Sequence, residues 1–194
     1  MTIKLNPPAP EGATLPNIYI ASLSDYNAGR LHGAWHTVTD DPDETWAAIT
    51  KVLVTSQEPN AEEWEIHDHE GWGVLTPEQY TIEHLSELVA GVAEHGPAFF
   101  AWIDAEGDDA LEELDSFEEA YCGAWESLVV YAENLLEETG IYHDLEKHLG
   151  QMAQYCQPDL EQFAHDLRVG GDNYTADNPD GGVWVFRNNF QAIR

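Results

Sequence analysis

Residues 116–140 read SFEEAYCGAWESLVVYAENLLEETG, and how this stretch is read decides the architecture of the C-terminal part of the chain. Ser116 with Glu119 three positions later is the pattern of a capping box, and Gly140 follows LLEET as a stop signal. Between them, at about 100° per residue, Tyr121, Trp125, Leu128, Ala132, Leu135 and Leu136 fall in one apolar stripe. The pattern predicts one long helix. Glu119, Glu126, Glu133 and Glu137 then lie on the opposite side, separated by roughly 10.5, 10.5 and 6 Å at about 1.5 Å per residue. The expectation is a line of carboxylates.

Charge around this stretch is as one-sided as the stretch itself. Residues 108–140 hold eleven Asp and Glu and no Lys or Arg, and the cation-free block extends from Val52 to Glu146, 95 residues with 25 carboxylates. The whole chain of 194 residues has 37 acidic against seven basic residues, a formal charge of -30. Such a field repels nucleic acid and anionic membranes and attracts basic surfaces, so neither a nucleic-acid partner nor a membrane partner is expected. Glu to Lys pairs at i,i+4 stabilise a helix by roughly 0.2–0.5 kcal/mol and like pairs cost a similar amount. A solvated face therefore normally mixes signs, and a block that never does so calls for a strongly basic partner that compensates it.

Duplex DNA carries one negative charge per about 1.7 Å of axis, and proteins that bind it line their grooves with Lys and Arg. Carboxylates edging a rod of helices can stand in for phosphates. The candidate partner-binding acids are Glu83, Glu87, Glu94, Asp104, Asp108, Asp109, Glu112, Glu113, Asp115, Glu119, Glu126, Glu133 and Glu137.

A hydrophobic content of 43% with seven Trp supplies real cores, in one ordinary domain or two to three small ones. No basic and apolar leader opens the sequence, and apolar runs such as GPAFFAWI (residues 96–103) are far too short for a span, so a cytoplasmic protein is expected. Cys122 and Cys156 form neither a disulfide framework nor a C-x-x-C site, and buried reduced thiols are the expectation.

Along the chain, a Pro-rich extension (1–15) precedes NIYIASL and RLHGAWHTV, two strand-like runs joined by the turn-rich SDYNAG. DPDETWAAITKVLVTS follows, with Asp41 as N-cap, Pro42 at the first helical position and Glu44 at the third. EEWEIHD alternates Trp64 and Ile66 with Glu63, Glu65 and His67, as a half-buried strand does. These make a β-β-α-β unit over 16–75. In 76–115, Thr76 or Thr81 caps a helix with Leu85, Leu88, Val89 and Val92 on one face and Glu83, Glu87 and Glu94 on another, and short helical pieces break at Gly107. The remainder, 116–194, adds IYHDLEKHLGQM, a helix after Pro158 and an Asp-Gly-Gly turn before the strand VWVFR. The fold class is α+β in three small units.

Chemistry finds little footing. On an alternating strand His67 and His69 share a face, but no third or fourth ligand has metal-site spacing, and His32 and His36 are weaker still. DAEGDDALEELD (residues 104–115) lacks the ligand order of a calcium loop. No nucleophile elbow or phosphate loop is present, so no catalytic residue, metal or cofactor is expected.

LPNIYIASLSDYNAGRLHGAWHTV, EEWEIHDHEGW, DLEQFAHDL and GGVWVFRN together resemble the ArdA family of antirestriction proteins over about residues 16–190. The resemblance implies an elongated, curved DNA mimic of three small domains, carried on mobile genetic elements and dimerising through the C-terminal domain. It further implies occupation of the DNA groove of type I restriction-modification enzymes, chiefly their methyltransferase core, with blockage of restriction and an expected blockage of modification. The family's antirestriction motif corresponds to the region around AENLLEETGIYHDL (residues 132–145). Three competing readings are an acidic protein of a salt-adapted organism, an acidic chaperone for another basic protein, and a small metalloenzyme using His67 and His69.

Overall fold

A computed structural model describes residues 15–188, which fall into two compact units, 15–114 and 115–188. The extension 1–15 lies outside the described residues apart from Leu15. The fold is α+β, with one three-stranded antiparallel sheet in each unit.

The first sheet is built from β1 (Asn17–Ser22), β2 (Gly33–Thr37) and β3 (Trp64–Glu70), in the order β2-β1-β3. Ile18 and Ile20 on central β1 are fully buried, as alternation requires. A short helix, α1 (Leu23–Asn27), interrupts the SDYNAG connection, with Ser22 as its N-cap. α2 (Pro42–Val54) packs on the sheet and starts as expected, the Asp41 carboxylate accepting from Asp43 N at 3.0 Å. Two histidines of the connection and of β2 fasten this helix: His32 Nε2 lies 2.9 Å from Val52 O, and His36 Nε2 lies 3.0 Å from Thr45 Oγ1.

The chain then forms α3 (Ile82–His95), α4 (Ala98–Glu106) and α5 (Asp108–Glu112). Of the two cap candidates, Thr81 caps α3, its hydroxyl accepting from His84 N at 3.2 Å, while Thr76 precedes a 3-10 turn. Leu85, Leu88 and Val89 are buried, and Val92 is half-buried. Gly107 separates α4 from α5 as expected. Trp72 is buried and stacks on Phe100, centroids 5.8 Å apart, while its indole donates to Asn17 O at 3.0 Å.

The second unit corrects the reading of residues 116–140. They form a single turn α6 (Phe117–Ala120), a strand β4 (Tyr121–Trp125) and a helix α7 (Leu128–Glu138). No side-chain cap bond is made by Ser116; Ser127 caps α7 instead, accepting from Val130 N at 3.3 Å. Gly123 lies at φ 107°, a conformation no α-helix contains and one that glycine alone adopts freely. Tyr121 and Trp125 therefore belong to a strand and not to a helical stripe with Leu128 and Ala132.

The strand is recruited by a partner far along the chain. β4 pairs with β6 (Val183–Arg187), which also pairs with β5 (Asn173–Asp177), in the order β4-β6-β5. β6 is buried on both faces. Val185 meets Tyr131, Ala132, Ala164 and Leu167 of α7 and α9 (Leu160–Val169). Phe186, on the opposite face, sits among Phe117, Tyr121 and Tyr174 at centroid distances of 5.2–6.3 Å. Filling that place with Tyr121 stabilises more than one further helical turn, so tertiary packing overrides local helix signals. α8 (Ile141–Leu149) and a 3-10 turn (Gly150–Tyr155) bury no residue. Both cysteines are free as expected, but Cys122 is half-buried and Cys156 is exposed rather than buried.

Candidate acidic interface

The clearest line of carboxylates lies on α3 and not on residues 116–139. Glu83, Glu87 and Glu94 are all exposed and fall within about 40° of one another around the helix, spaced by about 6 and 10.5 Å along its axis. Glu83 also accepts from the Trp46 indole at 3.1 Å. Its carboxyl is held below the ordinary glutamate range, first by its own backbone amide and then by that indole. It stays ionised.

In the same unit Asp104, Glu112 and Glu113 are exposed on α4, α5 and the residue after α5. The side chains of Asp108 and Asp109 lie outside the described part. In the second unit Asp115, Glu119, Glu126, Glu133 and Glu137 are exposed, but the expected line through four of them does not form. Glu119 is on α6, Glu126 in the turn between β4 and α7, and only Glu133 and Glu137 share a helix, four residues apart. The strand between them is the physical reason.

Helix polarity reveals a signal that residue counting misses. Carboxylates are favoured near a helix N-terminus and disfavoured near its C-terminus, each by roughly 0.3–1 kcal/mol. α2 and α9 obey this rule: Asp43 and Glu44 open α2 and Lys51 closes it, while Glu161 opens α9 and Arg168 closes it. Inside the cation-free block two helices break the rule. α4 and α7 have no acid in the first turn and no cation in the last, yet end on Asp104 and Glu106 and on Glu137 and Glu138. α3 follows the rule in part, opening on Glu83 and carrying His95 in its last turn, with Glu94 beside that histidine. Local stability is given up at the C-terminal ends of α4 and α7.

The few cations nearby do not offset them. Arg30 is engaged inside its own unit, 3.2 Å from the buried Asp25 and paired with Glu58. The Asp25 carboxyl is held below the usual range, chiefly by the Ser56 hydroxyl, against the opposing effect of burial. This network ties the β1–β2 connection to the segment after α2.

The histidines of β3 do not make a metal centre. Register shifts between Tyr19 and Ile20, so that Asp68 faces Tyr19, Ile66 faces Ile20 and His67 is the extra residue of a bulge. A one-residue slip reverses the alternation, and His67 and His69 no longer share a face. His67 contacts the Tyr26 ring at 4.8 Å, whereas His69 Nδ1 lies 3.1 Å from Glu78. Among the described residues no group of three or more His, Cys, Asp or Glu could hold a metal ion, and no helix is long and apolar enough to cross a membrane.

The sequence profile described as Antirestriction protein (ArdA) matches residues 18–179. The chain belongs to the ArdA family. No curated protein matches it. Antirestriction is the activity this membership carries, and it implies interaction with restriction enzymes; the match spans both compact units and every candidate acid in them.

Proposed function

We propose that this ArdA protein inhibits type I restriction-modification enzymes by DNA mimicry, its carboxylates occupying the groove where the methyltransferase core binds DNA. The placement of acids against the helix dipoles at the ends of α4 and α7, within the cation-free block, carries the reading. A salt-adapted surface gains solubility from acids anywhere and has no reason to put them at helix C-termini. A basic partner repays that local cost on binding. The protein acts by occupancy, without catalytic residue, metal or cofactor, and excludes DNA from both restriction and modification.

In this reading segment 16–75 is a scaffold, 76–115 carries the densest phosphate-like charge, and 116–194 forms the homodimer. Exposed Leu149, Met152 and Tyr155 on α8 and the following turn support the last assignment, at 41%, 60% and 74% exposure. The phosphate-like groups are the thirteen candidate acids from Glu83 to Glu137 named from the sequence.

The test is competition with target DNA for a purified type I methyltransferase at two salt concentrations. Many modest contacts screened over a Debye length of about 10 Å at 0.1 M should add, so single substitutions are nearly silent. Changing Glu83, Glu87 and Glu94 together to Gln keeps the helix while removing the α3 line, and should weaken competition more at low salt than at high salt. Equal competition by the triple variant removes α3 from the interface. A parent protein indifferent to salt defeats electrostatic mimicry itself.

A further inference from the structure

The outer face of the first sheet combines an aromatic pair with a carboxylate edge. Strand pairing places Trp35, Tyr19 and Asp68 in one row across β2, β1 and β3. On the same face, Thr37, Asn17 and Glu70 form the neighbouring row on one side, and Gly33, Ala21 and Glu65 the row on the other. Ile18 and Ile20 point the opposite way, into the core. Tyr19 and Trp35 meet edge to face, centroids 5.6 Å apart with planes at 67°.

The Tyr19 ring is held in position by an absence. A Cβ on Gly33 would clash first with the Ile20 carbonyl oxygen and would also stand 2.8 Å from Tyr19 Cε1, so glycine admits both the close strand backbone and the ring that lies across β2. If the pair served only to cover that glycine, Trp35 would be expected to bury itself against Tyr19. It remains 47% exposed. Glu65, Asp68 and Glu70 are exposed along the edge strand beside it. Glu65 has the His67 ring at 3.6 Å, and one Asp68 oxygen accepts from His69 N at 2.9 Å; among the described residues neither meets a Lys or Arg.

We propose that this face is a docking site for an arginine-bearing surface of the basic partner, with the guanidinium against Tyr19 and Trp35 and its donors toward Asp68 and Glu70. The inference rests on the reading of a basic, DNA-binding partner and adds to it a contact that is not phosphate-like. Tyr19 and Asp68 are directly opposed, about 5 Å apart, and Trp35 lies one strand further from Asp68, so a guanidinium reaches the carboxylate from the Tyr19 side of the aromatic pair while the side-chain stem covers the rest of it. Arginine suits the site better than lysine, because its planar, weakly hydrated guanidinium stacks on rings while an ammonium keeps its water. Nucleic acid and anionic membranes are repelled by the carboxylate edge. A second copy docked isologously would oppose the same acids to themselves.

Two measurements test it. In the first, isotope-labelled full-length protein is titrated with an arginine nonapeptide and, separately, a lysine nonapeptide, following the Trp35 indole N–H resonance assigned from Trp35→Phe. The expected result is a saturable shift at Trp35 at lower concentration of the arginine peptide; no shift, or the same response to both peptides, overturns the proposal. In the second, Trp35→Val, which keeps strand tendency without a ring, competes with DNA for a type I methyltransferase about tenfold less well than the parent, while Trp35→Phe stays within about twofold. Trp35→Val competing like the parent, while the parent still displaces DNA, overturns the docking site and leaves DNA mimicry standing. A parent that fails to displace DNA defeats mimicry, and the peptide titration then decides the site alone, as it does if Trp35→Val fails to fold. A changed oligomeric state of Trp35→Val by light scattering assigns the face to a second copy and also overturns the proposal.

Discussion

The two three-stranded sheets are alike in outline, each with a central strand buried and one bulge on an edge strand, yet they are assembled from different kinds of sequence. β2-β1-β3 gathers strands from residues 17–70, whose apolar residues alternate or cluster visibly, and its bulge falls at His67. β4-β6-β5 draws its edge strand from residues 121–125, about sixty positions before β6, through a segment with helix signals on both sides, and its bulge falls at Cys122. The first sheet follows local pattern. The second is imposed by β6, whose two buried faces and two open edges require partners wherever the chain can supply them.

The strongest way to break this comparison is to remove the side chain that holds β4. Phe186→Ala should cost about 3–5 kcal/mol in urea unfolding and strip hydrogen-exchange protection from the amides of β4. Ile20→Ala should cost about 2–5 kcal/mol while the other strands of its sheet keep their protection. If β4 stays protected in Phe186→Ala, its own sequence makes the strand and the comparison fails. Gly123→Ala sharpens the point: it improves helix propensity but forces an L side chain to φ 107°, so it should destabilise by about 1–3 kcal/mol.

Opposite ends of the pH scale should then separate the units. In the first, Asp25 titrates below its ordinary 3.8, chiefly because Ser56 donates to it, so its stabilisation is present above that value and lost as pH falls through the folded one. Burial lowers His36 below 6.5, so stability is complete above 6.5 and falls as pH drops from there toward the folded value. In the second unit burial pushes Tyr131 from 10.0 up to about 12, with the Cys122 thiol beside it adding to the shift. Its contribution, on the order of 2 kcal/mol, is present below 10.0 and lost as pH rises toward 12. Melts across pH should show acid loss reduced by Asp25→Asn and alkaline loss reduced by Tyr131→Phe. The reverse assignment would contradict the comparison.

The smallest effects concern helix ends. Glu94→Gln should raise stability by about 0.3–1 kcal/mol because it removes a charge at the unfavourable end of α3, whereas Lys51→Gln in α2 should lower it by a similar amount. Thermal melts at low salt read both. A loss of stability in Glu94→Gln would mean that the carboxylate is compensated within the fold, and the argument from misplaced acids would weaken.

The sequence by itself determined what depends on neighbours within a turn or two. Asp41 and Pro42 start α2, Thr81 starts α3, alternation marks β1 and β3, and the run from Val52 to Glu146 holds no Lys or Arg. Family resemblance was legible for the same reason, since its motifs are contiguous. Ser116 and Glu119 carry an equally local signal, and it misled, because a capping box records what a segment favours alone and not what a distant strand offers it. Only tertiary structure decided that Tyr121–Trp125 pairs with β6, that the bulge separates His67 from His69, and that the carboxylate line runs along α3 rather than across residues 119–137. Each outcome depends on hydrogen bonds and ring contacts between residues roughly ten to sixty positions apart, whose energy appears only once the chain has closed on itself.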